Sequence, residues 1–208
     1  MTTMGMTTPG MSTRPPAPLT TPLHGPGHNG GPTNEAGYGW RRHAWNSARK
    51  ALLPTLPIEV VRLRVRRAAE LGLDYRTYAS VRAASGHDVV AFLFSSNALR
   101  VLARDQGRLP ADRAVKLAAI KACGRIGLAV APLSPARLAE AAPLLDAAHP
   151  APPAFGAFAE LRGHLGRAIA GHPSDRVILI GDTAAEREWL AAGRLAFYLS
   201  AERYFTQA

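Results

Sequence analysis

A second cysteine is the first thing this chain lacks: Cys123 stands alone in 208 residues. Its solitude excludes intramolecular disulfides and any cysteine-rich zinc module. Lying inside an apolar helical pattern, it reads as a small core residue. Long apolar runs are missing too. The longest, Val89-Val90-Ala91-Phe92-Leu93-Phe94, is far shorter than the roughly 20 residues a membrane helix needs. The first 34 residues carry one positive charge, Arg14, and no apolar stretch of the kind a secretory leader uses. These absences make the cytoplasm the expected compartment and leave no membrane partner in view. Lysine is scarce, with 3 against 22 arginines, and methionine is confined to positions 1, 4, 6 and 11, so translation could start at any of the four.

Positive charge, by contrast, is plentiful and unevenly spread. The net charge is +10. Residues 1–104 hold 13 basic and 5 acidic side chains, a net +8, while residues 105–208 hold 12 and 10, a net +2. Between Arg41 and Arg82 ten basic residues face three acidic ones. A cationic block of this density attracts polyanions, and nucleic acid is the commonest in a cytoplasm. GC-rich coding accounts for most of the arginine bias; bidentate recognition of phosphate or guanine is the functional alternative.

Three stretches follow one another along the chain. Residues 1–34 contain seven Pro, six Gly and eight Thr and almost no bulky apolar groups, so the composition predicts a disordered tail. Residues 35–86 read as a basic helical extension. A helix from Trp40 to Leu53 ends at Pro54. A second runs from Pro57 to Leu71, with Ile58, Val61, Val65 and Ala68 as its apolar face, and a third covers Tyr75–Ala84. Residues 87–208 switch period. Short β-favouring runs at Val89–Phe94, Ile126–Ala131, Val177–Ile180 and Ala196–Leu199 alternate with helical patterns at Ala98–Arg104, Ala111–Cys123, Pro135–Ala148, Phe155–Ala170 and Ala184–Ala192. Such alternation predicts an α/β fold: a small four-stranded parallel sheet flanked by helices. Pro150 to Pro153 reads as a hinge between two helices of one crossover.

Within the basic segment, Arg67-Ala68-Ala69-Glu70-Leu71-Gly72-Leu73-Asp74-Tyr75-Arg76-Thr77-Tyr78-Ala79-Ser80-Val81 resembles the helix-turn-helix pattern of DNA-binding proteins. Ala68 fits the small residue where the helices cross, and Gly72 the turn four residues later. Leu71, Leu73, Tyr78 and Val81 fit the apolar positions. Arg67 departs from the pattern, which wants an apolar residue there. The resemblance implies that Arg76, Thr77, Ser80 and Arg82 face the major groove while Arg41, Arg42, Arg62 and Arg66 hold phosphates. The alternative is a plain helix hairpin closing on the α/β core. Trp40 and Trp45, beside Arg41, Arg42 and Arg49, offer stacking for unpaired bases; Trp45 reads rather as a core anchor. His24, His28 and His43 lie in or beside Gly/Pro-rich sequence with nothing to orient them as a metal set, and read as solvated.

A second constellation comes from the strand ends, where open parallel sheets bind ligands. These supply Ser95, Ser96 and Asn97, then Pro132 with Ser134, then Gly181, Asp182 and Thr183. Hydroxyls and helix-start N–H groups there suit a phosphate. The set resembles haloacid-dehalogenase-type phosphatases, with Ser95 or Ser96 as phosphate binder and Gly181-Asp182 as the metal-holding turn. The aspartate nucleophile pair of that family is missing from the end of the first strand, and without it that chemistry fails. Helix capping explains the same residues more plainly: Thr183 with Glu186 forms a capping box, Ser134-Pro135 a cap followed by proline, and Ser96 a cap for the helix after the first strand.

Three functions are therefore expected in turn. The first is nucleic-acid binding, of DNA above all, through residues 41–82. The second is binding of a phosphorylated or nucleotide ligand, by an enzyme or a sensor, at Ser95, Ser96, Asn97, Asp182 and Thr183. The third is docking of the basic helices on an acidic protein surface. No residue pattern specifies a cofactor.

Overall fold

A computed structural model describes residues 56–103 and 108–206, together with Trp40, His43, Ala44 and Ser47. The predicted tail, Arg41, Arg42 and most of the Trp40–Leu53 helix lie outside the described residues. Leu56–Ala208 forms one compact unit and Met1–Thr55 another.

The chain runs α1 (Ile58–Glu70), α2 (Tyr75–Ser85), β1 (Ala91–Ser95), α3 (Ala111–Ala119), β2 (Gly124–Ala129), α4 (Pro135–Ala141), β3 (Ala147–Pro150), α5 (Phe158–Ala168), β4 (Val177–Gly181), α6 (Ala184–Gly193), β5 (Phe197–Ser200) and α7 (Ala201–Thr206). The strands form one sheet in the order β3-β2-β1-β4-β5, every neighbouring pair parallel. Leu93 in the middle of β1 lies between Ile126 of β2 and Leu179 of β4.

The α/β expectation holds, but the sheet has five strands rather than four. The additional one is β3, Ala147-Ala148-His149-Pro150, which the sequence pattern assigned to the end of a helix. Helix α4 stops at Ala141. Alanines, a histidine and a proline have no strand preference of their own, and proline is tolerated only on a sheet edge. β3 is such an edge, held by pairing of Ile126–Ala129 with Ala147–Pro150. Pro150 thus ends a strand and is not part of a helix–helix hinge. The helix predicted at Ala98–Arg104 is also absent among the described residues: after β1 the chain makes successive turns, with Arg100 in the left-handed region at φ 57°.

Period-two alternation divides the sheet's side chains between two cores. Phe92, Phe94, Ile178 and Ile180 point to one face, where they meet Leu117 of α3, Leu138 of α4 and Tyr204 of α7. Ala91, Leu93, Val177 and Leu179 point to the other, against Leu161 and Leu165 of α5 and Trp189 of α6. Strands buried on both faces must be apolar throughout, which is why β1 and β4 read as unbroken hydrophobic runs. Tyr204 closes the first core: its ring sits 5.4 Å from Phe92 and 5.9 Å from Phe94, and its hydroxyl donates to Leu71 O at 3.1 Å.

Helices α1 and α2 contribute to that same first core through Ala68, Leu71, Leu73, Tyr78 and Val81. Only the C-terminal part of α1 reaches it. Ile58 and Val65, predicted on its buried face, are 61% and 46% exposed. Asp74 caps α2 by accepting the Thr77 N–H at 2.9 Å, and Gly72 makes the intervening turn at φ 65°.

Candidate functional site

The chain order reverses direction within this sheet. Strands β1, β2 and β3 progress towards one edge with α3 and α4 on the first face. The chain then returns to β4 on the other side of β1, and α5 and α6 cover the second face. The reversal falls between β1 and β4, and connections that diverge there leave a crevice at the strands' carboxyl ends. The class is thus the open, doubly wound parallel α/β sheet.

Ser95, Ser96 and Asn97 leave β1 at that point, and Asp182 and Thr183 leave β4. The structure brings the two groups together through a residue the ligand reading left out. Glu186, 1% exposed, accepts hydrogen bonds from Asn97 Nδ2 at 2.9 Å, Asp182 N at 2.6 Å and Thr183 N at 2.9 Å. Thr183 Oγ1 accepts the Glu186 N–H at 3.3 Å, completing the predicted capping box. This carboxylate therefore ties the β1 turn to the start of α6. Gly181 makes the close approach feasible: a Cβ there would lie 2.8 Å from the Tyr198 ring and 3.1 Å from Glu186 Oε2. Ser95 and Ser96 are fully buried and serve the backbone. Ser95 Oγ accepts the Ala98 N–H at 3.0 Å, and Ser96 Oγ accepts the Val130 N–H at 3.1 Å. Ser96 thus fastens β1 to the end of β2, and no helix follows for it to cap. Ser134 does cap α4, as expected, with Pro135 in its first turn.

Beside this joint lie two cavities sharing Asn97, Val130, Ala131 and Leu133. The smaller, about 390 Å³, extends along Ser96, Pro132 and Val101–Ala103. The larger, about 630 Å³, extends over Pro150–Ala154 and reaches Glu160 and His164 of α5 and Thr183, Glu186 and Trp189 of α6. Glu160 and His164 are one helical turn apart and line the same wall, and the buried His164 Nδ1 has no hydrogen-bond partner among the described residues. In the sequence, the i, i+4 spacing of His164 from Glu160 is the signal that puts the two on one helix face. Asp182 lines neither cavity; its carboxylate lies 3.6 Å from Arg100 Nη2. Among the described residues no group of three or more His, Cys, Asp or Glu is placed to hold a metal. No carboxylate stands at the end of β1, where the sequence reads Ser95-Ser96-Asn97.

The helix pair tells a different story from its sequence pattern. Arg67, the departure from that pattern, is a clamp. Its guanidinium donates to Asp88, Glu70 and the backbone carbonyls of Val89, Lys121 and Ala122, at 2.9–3.2 Å. Burial alone would lower the Arg67 guanidinium, but the hydrogen bond it donates to Glu70 and the charge of Asp88 outweigh it and hold it above the ordinary arginine value. Thr77 is buried: its hydroxyl bonds Asp74 at 2.5 Å and receives Arg203 Nη2 at 2.8 Å, so it presents no surface to a groove. Arg62, Arg66, Arg76 and Ser80 are exposed. Arg62 pairs with Glu59 at 2.8 Å, and Ser80 Oγ donates back to Arg76 O. Arg82 is half-buried and lines a groove between the helices together with Arg64, Arg66, Tyr78 and Asp88. Arg41 and Arg42 lie outside the described residues.

No protein-family model matches this chain, and no curated protein or solved structure matches it either. Among the described residues, no helix is long and apolar enough to cross a membrane.

Proposed function

We propose that the chain binds a small phosphorylated or nucleotide-type ligand in the cleft at the carboxyl ends of β1, β2 and β4. The observation that carries this reading is the pair of adjoining cavities at the point where strand order reverses, with Asn97 on their common wall. Their mixed character suits such a ligand: proline, alanine and tryptophan surface for a ring or sugar, and Asn97, Thr183, Glu160 and His164 for its polar groups. Covalent transfer through an aspartate is not part of the proposal, because Ser95-Ser96-Asn97 occupies the place where the phosphatases it resembles carry their carboxylates. Binding is the proposed role, with Asn97 and Thr183 orienting the ligand.

Thermal unfolding and calorimetric titration against inorganic phosphate, ribose 5-phosphate and nucleoside mono- and diphosphates test this. At least one phosphorylated compound is expected to raise the unfolding midpoint, with the response reduced in Asn97→Ala and Thr183→Ala. A panel that leaves the wild-type midpoint unmoved at millimolar concentration overturns it.

A second reading is favoured by the exposed side chains of Arg62, Arg66 and Arg76 on α1 and α2. These side chains suit the phosphates of a nucleic acid held without base-specific contacts. Duplex affinity should then fall steeply with salt, and Arg76→Ala should weaken binding alike on all sequences. Retention on an acidic protein surface without any duplex binding would assign the same arginines to a protein partner instead.

A further inference from the structure

One wall of the larger strand-end cavity is built by α5, whose Glu160 and His164 both line it. Trp189 of α6 and Pro152 and Pro153 of the loop between β3 and α5 supply apolar surface to the same space. Glu160 lies in the first turn of α5, where a carboxylate offsets the partial positive charge of the helix end. That accounts for the charge but not for the course of the side chain. A Cβ built on Gly156 would meet Glu160 Oε2 at 3.0 Å and Pro153 Cγ at 2.7 Å. The carboxylate thus folds back beside the loop that lines the cavity, and no donor among the described residues bonds to it. His164 has the opposite character. Its Nδ1 is buried without a hydrogen-bond partner among the described residues. A buried N–H lacking an acceptor is less tolerable than an unused lone pair, so the ring proton belongs on Nε2. Nε2 has no partner there either, yet it is not sealed off, which makes it the ring nitrogen open to a ligand.

The α5 wall therefore offers a carboxylate acceptor and, one helical turn on, an N–H donor. Apolar surface that includes an indole completes the cavity. A phosphate does not suit this wall, because Glu160 repels it. A nucleobase combines what both features require: a donor beside an acceptor along its edge, and flat faces that take apolar contact. We propose that Glu160 and His164 receive the edge of a nucleobase in the larger cavity. Glu160 accepts an N–H of the base, His164 Nε2 donates to its neighbouring ring nitrogen or carbonyl oxygen, and Trp189 packs against the ring. This rests on the strand-end reading and makes the ligand a nucleotide rather than a plain sugar phosphate.

The test is calorimetric titration of the full chain with ribose 5-phosphate and with the monophosphates of adenosine, guanosine, cytidine and uridine. Wild type should bind at least one nucleotide about tenfold or more tighter than ribose 5-phosphate. Glu160→Ala and His164→Leu should each lose most of that preference while binding ribose 5-phosphate as wild type does. His164→Gln, whose amide N–H lies near the place of Nε2, should recover part of it. Glu160 is exposed, so Glu160→Ala keeps the test decisive even where His164→Leu folds poorly. If ribose 5-phosphate binds as tightly as every nucleotide, no base is read: the inference fails and the strand-end reading stands. A nucleotide preference that survives both Glu160→Ala and His164→Leu places the base elsewhere and overturns it. Equal weakening of nucleotide and ribose 5-phosphate in those variants also overturns it, because the pair then serves the sugar phosphate or the shape of the cleft. If wild type binds none of the five compounds, the inference and the strand-end reading fall together.

Discussion

Replacing Glu186 with alanine tests the joint on which the candidate site is built. The side chain is 1% exposed, and its two oxygens accept three hydrogen bonds, from Asp182 N, Thr183 N and Asn97 Nδ2. Hydrogen bonds to a charged group contribute about 1.5–3 kcal/mol each in net terms. Asn97 and Thr183 border a cavity that water can enter, so part of the loss is recovered by hydration. The expected destabilisation is therefore about 3–4 kcal/mol rather than the full sum. For a domain of about 150–250 residues, each kcal/mol moves the midpoint by about 2–4 °C, which predicts a fall of roughly 6–16 °C. Glu186→Gln keeps one oxygen for the two backbone donors, and the Asn97 amide can turn to meet the new NH₂. That variant should lose only about 1 kcal/mol. Urea unfolding monitored by the fluorescence of buried Trp189 measures both. An alanine variant within about 1 kcal/mol of wild type, or a glutamine variant as unstable as alanine, would refute the account.

The Arg67 clamp should behave similarly on the other side of the sheet. Arg67→Ala removes five donors and should destabilise by about 3–5 kcal/mol, with Arg67→Lys recovering only a minor part because it lacks the planar fork; urea midpoints of the two variants check this. Asp146 gives a pH signature. Burial would raise its carboxyl, but the hydrogen bonds and charge of Arg125 win and hold it below the ordinary 3.8. Its contribution to stability is thus present above that value and lost as pH falls through the lower, folded one. Stability measured from pH 5 down to pH 2 should decline less steeply in Asp146→Asn. Burial pushes the Cys123 thiol up to about 12, so a thiol reagent at pH 8 should label the native protein slowly and the urea-unfolded protein at once.

Particular residues show where sequence reasoning reached and where it stopped. The strands β1 and β4 were visible because both faces are buried and every side chain must be apolar. The capping box of Thr183 and Glu186 and the Ser134 cap were visible because each is a local contract between residues a few positions apart. β3 was not visible. Its four residues carry no preference for a strand and become one only because β2 offers an unpaired edge. Ser96 looked like a helix cap and instead accepts a hydrogen bond from Val130, 34 residues away. The helix-turn-helix resemblance named Thr77 as a groove contact, yet its hydroxyl is engaged by Asp74 and by Arg203, 126 residues on.

What this sequence determined by itself is the class of the fold: alternating apolar runs and helical periods admit little but a parallel sheet covered on both sides, because backbone pairing and apolar burial act over short stretches that a reader of the chain can see. It also located the carboxyl ends of β1 and β4 along the chain, since both strands read as unbroken apolar runs. Tertiary structure alone decided the order β3-β2-β1-β4-β5 and therefore which strand ends meet. It decided that Glu186 joins Asn97 to Asp182 and Thr183, that Glu160 and His164 face the same cavity, and that Arg113 is buried over the Phe205 ring. Those relations depend on charge, burial and hydrogen-bond supply at points brought together from separate elements, and no residue's neighbours in sequence carry that information.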